Sequence, residues 1–166
     1  GAGIAGITVA YYLVKAGYQV TVYDEEPHPA MKTSFANGGQ VSVSNSEVWT
    51  TWGNVWKGMK WMLKKDAPLL IRPDLDLDKA IWLAKFLWHT ANNSYAKNTA
   101  ATIHLGLEAR RRYRNIVAKE DLKFDQTGSG ILHFYKDDKY FDKALEAQEI
   151  YQANNCEWSI LTEAQV

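Results

Sequence analysis

One cysteine, Cys156, is all the thiol this 166-residue chain holds, so no internal disulfide can form and a reducing compartment fits best. Histidine is also sparse, with four scattered copies, and no set of His and Cys stands at ligand spacing; no metal site is expected. An excess of either sign of charge is missing too. The 19 basic and 19 acidic side chains cancel to a net charge of zero, which removes the electrostatic footprint of a nucleic-acid binder. No nucleic acid is therefore expected among the partners. Long apolar runs are absent, because Lys, Asp or Asn interrupts each of them before the roughly 18 residues that a bilayer span requires. A transmembrane helix is not expected, and the opening lacks the basic-then-apolar pattern of a leader. The abundant residue is tryptophan: of seven, six fall between Trp49 and Trp88, a density that suits either a buried helical layer or a surface that meets lipid or protein.

The chain opens on Gly1-Ala2-Gly3-Ile4-Ala5-Gly6, the G-x-G-x-x-G pattern. After it Ile4, Ile7, Tyr11 and Val14 recur on one face of a helix, with Lys15 in its last turn and Gly17 as a stop. Gln19 to Tyr23 then reads as a β-branched strand closed by Asp24. Each part has a task in dinucleotide binding. Gly1 permits a tight turn, Gly3 lets backbone approach a pyrophosphate, Gly6 allows close packing of the helix, and the helix N-terminus offers N–H donors to phosphate. Asp24 follows Gly6 at close to the roughly 20 residues usual for an acid that holds a ribose hydroxyl. The motif also needs a strand ahead of its first glycine, so we expect a preceding strand, the central one of a parallel sheet, and a chain cut at both ends.

Two prolines follow in Glu25-Glu26-Pro27-His28-Pro29, and then the Ser/Asn/Gly-rich loop from Thr33 to Gln40. A nicotinamide enzyme would enter a second regular βαβ unit here. A loop of this composition can lay N–H groups against a phosphate or a flavin edge without steric cost; on composition alone it is also an ordinary surface turn. Together, the glycine motif, the V-T-V-Y-D stretch ending at Asp24 and T-S-F-A-N-G-G-Q at 33–40 resemble the DAO-type flavoprotein family, in its bacterial branch that dehydrogenates D-amino acids. The likeness continues through K-W-M-L-K-K-D-A-P-L at 60–69, the Trp-rich segment and G-S-G-I-L-H-F at 128–134, and so spans nearly the whole chain.

The resemblance implies non-covalently bound FAD, hydride transfer from the Cα of a D-amino acid to flavin N5, and hydrolysis of the imino acid to a 2-oxo acid and ammonia. It implies a quinone or other respiratory acceptor in place of oxygen. It also implies that Gly1, Gly3 and Gly6 face the pyrophosphate, that Asp24 holds the adenosine ribose, and that Ser34, Asn37, Gly38 and Gly39 lie along the pyrophosphate and flavin. Glu25 is a rival for the ribose role, since strand ends shift by a residue or two.

Further on, Trp49 to Lys65 is basic and apolar at helical spacing. Val55, Trp56, Met59, Met62 and Leu63 share one face and Lys57, Lys60 and Lys64 another, a pattern open to core packing or to a membrane interface. Asp66-Ala67-Pro68 breaks it, and Leu75-Asp76-Leu77-Asp78 leads into a helix over 79–91 whose Ile81, Trp82, Leu83, Phe86, Leu87 and Trp88 are expected to be buried. A long helix over 96–119 places Leu105, Ala109, Tyr113, Ile116 and Val117 on one side. Arg110, Arg111, Arg112 and Arg114 crowd the rest; we read them as a solvated or docking face and nominate none. Ile131 to Tyr135 reads as a strand, Asp137 or Asp138 caps a helix to about Gln152, Cys156 to Leu161 reads as a further strand, and Thr162 and Gln165 have capping-box spacing.

The expected fold is α/β (α+β overall): a Rossmann-like FAD-binding start without its first strand, a helical segment, and the beginning of a mixed-sheet substrate domain. The expected division is 1–45 for the partial FAD-binding domain, 46–125 for the helical Trp-rich segment and 126–166 for the start of the substrate-binding domain. The expected location is cytoplasmic, with peripheral contact at the inner face of the plasma membrane. No catalytic residue is visible, which a flavin enzyme tolerates because its cofactor carries the redox chemistry. Three alternatives stay open: a glycine- or sarcosine-type amine oxidase of the same family, an NAD(P) enzyme, which would require a regular second βαβ unit after Asp24, and a non-catalytic module that keeps the nucleotide fold and binds a partner through its Trp-rich helices.

Overall fold

The computed structural model describes residues 1–64, 66–67 and 76–165. Lys65, Pro68, Leu69 and Leu75, which the sequence reading placed in a shared motif or at a helix boundary, lie outside the described residues. The chain divides into two units, Gly1–Gln40 and one that begins at Val41.

The first unit contains a single helix, α1, Ile4–Lys15. It stops where expected: Gly17 takes φ +88°, its N–H reaches the Val14 carbonyl at 2.9 Å, and the N–H of Tyr18 returns to Leu13 at 3.1 Å. A left-handed residue just past a helix end satisfies its last carbonyls in this way. Ile4 and Val14, expected to share one face, are exposed, and α1 buries none of its residues.

Four helices make up most of the second unit: α2, Trp52–Met62; α3, Leu77–Ala91; α4, Tyr95–Lys119; and α5, Asp138–Ala153. Three of them carry a side-chain cap. Thr51 accepts from the N–H of Asn54 at 3.3 Å, Asp76 from Lys79 at 3.1 Å and Asp137 from Lys139 at 2.9 Å. Short polar side chains at these positions satisfy donors that the first turn leaves orphaned. The core gathers where α4 and α5 meet the 3-10 turn Val43–Asn45. Val43, Ile103, Ala147, Tyr151 and Cys156 pack there, with Leu107, Ile150 and Trp158 at its margin. A methyl group on Gly106 would stand 3.4 Å from Val43 Cγ1, so the helix approaches the turn closely at that point.

Polar bonds hold the segment after this turn to both helices. The Ser46 N–H donates to Tyr151 Oη at 3.0 Å, the Val48 N–H to Thr99 Oγ1 at 3.4 Å, and Tyr95 Oη to Glu47 Oε2 at 2.7 Å. Burial and the Glu47 carboxylate both push the Tyr95 phenol well above its ordinary value. At the far end, Gln165 Oε1 accepts from the N–H of Thr162 at 2.9 Å, the backbone half of a capping box, around the short 3-10 helix Glu163–Gln165.

The expected α/β class is overturned. No strand is present among the described residues, neither at 19–23, nor at 131–135, nor at 156–161, so neither a Rossmann-like sheet nor a mixed substrate-domain sheet is seen. The physical reason lies in what a strand is. β-branched composition favours an extended backbone, but only a paired neighbour supplies the ladder. Within Gly1–Gln40 the other run of that composition, 7–14, is taken up in α1, which leaves 19–23 without a strand to pair with.

Expected faces need correction as well. Ile81, Trp82, Leu87 and Trp88 of α3 are exposed, Trp88 at 68%, and Leu83 and Phe86 are half-buried. On α4 the buried line runs through Thr99 and Ile103, both 0% exposed, whereas Leu105 is exposed.

Candidate functional site

Ala2 is the residue about which the glycine turn is built, and it is buried. Its N–H donates to Asp24 Oδ2, and its carbonyl accepts from the N–H of Ala30 at 3.0 Å. The other Asp24 oxygen accepts from the N–H of Glu26 at 2.9 Å. These two backbone donors, Ala2 first and Glu26 second, hold the Asp24 carboxyl below its ordinary value of 3.8, with Lys32 adding to the effect. A carboxylate offers about four lone-pair sites, so two N–H bonds leave room for a hydroxyl donor. Glu25, the rival acid, is engaged elsewhere: Lys32 Nζ pairs with its Oε1 and stands 3.5 Å from Glu26.

Sterics at the turn single out two glycines. A Cβ on Gly6 would lie 1.8 Å from the carbonyl oxygen of Gly1, a backbone atom that cannot yield. On Gly3 it would lie 3.1 Å from Ser34 Oγ. Gly3 is the N-cap of α1 and has no side chain to offer, and Ser34 takes over that duty by accepting from the Ile4 N–H at 2.9 Å. This hydroxyl oxygen stands as an acceptor at the head of the helix, the kind of position that suits a phosphate oxygen, and its own O–H remains a donor.

Asn37 organises the loop beyond. Its Nδ2 donates to the carbonyls of Thr33 at 3.0 Å and Ser34 at 3.1 Å, and its Oδ1 accepts from Gly39 at 2.7 Å. The amide is thus spent on its own loop, where it supports Gly39 at φ +61°, and a Cβ on Gly38 would meet open space. Gly1, Gly3, Gly6, Asp24, Ser34, Asn37, Gly38 and Gly39 all belong to the Gly1–Gln40 unit. The donor set suits a dinucleotide such as FAD: free-ended helix N–H groups, a hydroxyl, a carboxylate with open lone pairs, and a turn with no space for a side chain at Gly6.

One participant escaped the sequence reading. The Ala2 peptide has no side-chain signature, so only the fold could mark it. In the second unit, Arg110 follows Ile103 by two helical turns and so shares the buried face of α4, apart from Arg111 and Arg112, which clasp Glu108. That pair holds the Glu108 carboxyl down at about 2. Among the described residues no group of three or more His, Cys, Asp or Glu side chains could hold a metal ion, and no helix is long and apolar enough to cross a membrane.

Comparison with known proteins supplies a family. The family described as FAD dependent oxidoreductase matches residues 1–166. The chain is 47% identical over 150 residues to D-amino acid dehydrogenase 3 of Mesorhizobium japonicum, covering 90% of this chain and 36% of that protein. It is 34% identical over 161 residues to a D-amino acid dehydrogenase of Rhizobium johnstonii (97% of this chain, 39% of the relative). A D-amino acid dehydrogenase of Dechloromonas aromatica is 39% identical over 150 residues, with 90% and 36% covered. The chain therefore spans well under half the length of these relatives. No solved structure matches it.

Proposed function

We propose, because this chain belongs to the FAD dependent oxidoreductase family, that the whole protein carries out oxidative deamination of D-amino acids to 2-oxo acids and ammonia. The observation that carries this reading is the Asp24 carboxylate fixed on the Ala2 N–H at the mouth of α1, beside a Gly6 that admits no side chain. Gly1, Gly3 and Gly6 take the pyrophosphate and Asp24 the adenosine ribose. Ser34 presents its O–H to a phosphate oxygen, while Asn37 shapes the loop so that Gly38 and Gly39 can lie close to the cofactor. Bound FAD supplies the two-electron acceptor for the hydride that leaves the substrate Cα. Water then adds to the imino product, and ammonia departs.

The division proposed for the chain is a cofactor part over 1–45, a helical part over 46–125 and the start of a substrate-binding part over 126–166. For the electrons we propose a respiratory acceptor such as a quinone, reached by peripheral contact at the inner face of the plasma membrane. The exposed Trp52 and Trp56 of α2 support that contact, as do Lys57 and Lys60 on the same helix, since aromatics favour the headgroup zone and lysines an anionic surface.

The test is the visible spectrum of the full-length protein under anaerobic conditions. Flavin bands bleached by D-amino acids and left unchanged by their L-isomers are the expected outcome. Bleaching by glycine or sarcosine alone would move the substrate to those amines, and a protein that retains no flavin would sink the reading.

A further inference from the structure

Asn37 is the only asparagine in the chain that a glycine follows. Both residues are exposed, and a Cβ on Gly38 would meet nothing within 4 Å, so no side chain crowds the Gly38 backbone from that side. The Asn37 amide beside it is held in place. Its Oδ1 accepts from the Gly39 N–H at 2.7 Å, and the small ring that this bond closes contains both the Asn37 Cγ and the Gly38 nitrogen. An N–H on that oxygen draws electron density from Cγ and steadies negative charge that forms on Oδ1, as donors do in acyl transfer. Nδ2 is tied to the Thr33 and Ser34 carbonyls at 3.0 and 3.1 Å, but both bonds face water, which replaces them at small net cost.

We propose that Asn37-Gly38 is a site of spontaneous modification, at which the chain attacks its own side-chain amide. The Gly38 nitrogen gives up its proton and bonds to the Asn37 Cγ, the Cγ–Nδ2 bond breaks, and Nδ2 leaves with that proton as ammonia. The product is a cyclic imide. Water then opens either of its two C–N bonds and leaves an aspartyl or an isoaspartyl linkage. In sum an amide and a water become a carboxylic acid and ammonia, with no oxidant or reductant involved. The new carboxylate accepts and does not donate, so both bonds from Nδ2 are lost and a negative oxygen faces the Thr33 and Ser34 carbonyls. The loop over 33–40 loses its brace and gains a negative charge. One consequence rests on the cofactor reading above: that charge stands beside the pyrophosphate, and flavin is held less firmly.

The flavin-loaded full-length protein, kept at neutral pH and digested at intervals, tests this by mass spectrometry. The Asn37 peptide is expected to gain the mass of an amide-to-acid change and to yield a form that an isoaspartate methyltransferase labels. It is expected to run about tenfold or more ahead of Asn92, Asn93, Asn154 and Asn155, whose next residues carry side chains that raise the barrier to attack. Gly38→Ala suits a backbone that is not left-handed at this residue and has open space there, and it is expected to slow conversion by about tenfold or more. The proposal is overturned if Asn37 stays intact as long as the four reference asparagines, a comparison that needs no variant to fold. It is overturned too if the folded Gly38→Ala protein converts at the wild-type rate. Anion exchange separates converted from intact chains, and the flavin absorbance of the two fractions keeps the readings apart. Less flavin on the converted fraction is expected; conversion with equal flavin supports the modification site and counts against the loop as part of the cofactor cradle.

Discussion

Gly6 has no room for a methyl group, because the Gly1 carbonyl occupies the space a Cβ would take. Gly6→Ala must therefore open the turn and carry the Ala2 N–H away from Asp24. We expect the purified full-length variant to retain less than a tenth of the wild-type flavin per protein, read from the visible-to-ultraviolet absorbance ratio; wild-type flavin content would show that the turn is not the cradle. Asp24 gives a pH dependence with a definite sign. Its folded-state pKa is depressed below 3.8, so its contribution is present above 3.8 and fades as the pH falls through the lower folded value. Flavin release on acidification should contain this component in the wild type and lack it in Asp24→Asn, which already binds flavin more weakly at neutral pH. Two identical release curves would remove Asp24 from the site. Gly6 and Asp24 were legible in the sequence because the turn is local and each residue type answers one steric or charge requirement. The Ala2 peptide was not, since backbone groups leave no mark in composition.

Helices in this chain are announced by short-range chemistry. Asp76 and Asp137 each stand at an N-cap, Gly17 and Asn155 take positive φ just past a helix end, and α3, α4 and α5 fall within a few residues of their expected bounds. Their burial was less legible. Apolar periodicity reports that a face exists and not what covers it, so the faces expected on α3 and around Leu105 came out exposed. Strands failed for a related reason, since 19–23, 131–135 and 156–161 have the residues for a ladder and no ladder partner among the described residues. Where α4, α5 and the Val43–Asn45 turn do close on one another, single changes should be costly. Ile103→Ala, at a site fully removed from solvent, should lower stability by about 2–5 kcal/mol. Tyr151→Phe should cost about 1–2 kcal/mol by leaving the Ser46 N–H without its acceptor. By contrast Gly53→Ala, within α2 and clear of contacts shorter than 3.9 Å, should stabilise by roughly 0.5–1 kcal/mol. Denaturant midpoints at constant slope check all three, and a neutral Ile103→Ala would mean that the shared core of α4 and α5 does not hold the second unit together.

At the scale of the whole molecule, apolar surface and charge point the same way. The buried hydrophobic residues among those described are Ala2, Val43, Ile103, Ala147, Tyr151 and Cys156, all but two of them small or medium in size. Against them stand the exposed indoles of Trp49, Trp52, Trp56, Trp82 and Trp88. A large exposed apolar surface draws a partner, a membrane or another copy of itself, and net charge is what opposes the last of these. Here that opposition vanishes near pH 7.1, where the formal charges cancel. Below that pH the chain is net positive and above it net negative, so repulsion grows in both directions. The 166-residue chain prepared by itself should therefore bind a hydrophobic dye such as ANS strongly, and its light scattering should peak near pH 7 and fall toward pH 5 and pH 9, with added salt blunting the fall by screening. Both readings have a clear failure. A chain that stays monomeric at pH 7 without dye enhancement would mean its indoles are covered in solution, and the proposed membrane contact through α2 would then lose the surface it depends on.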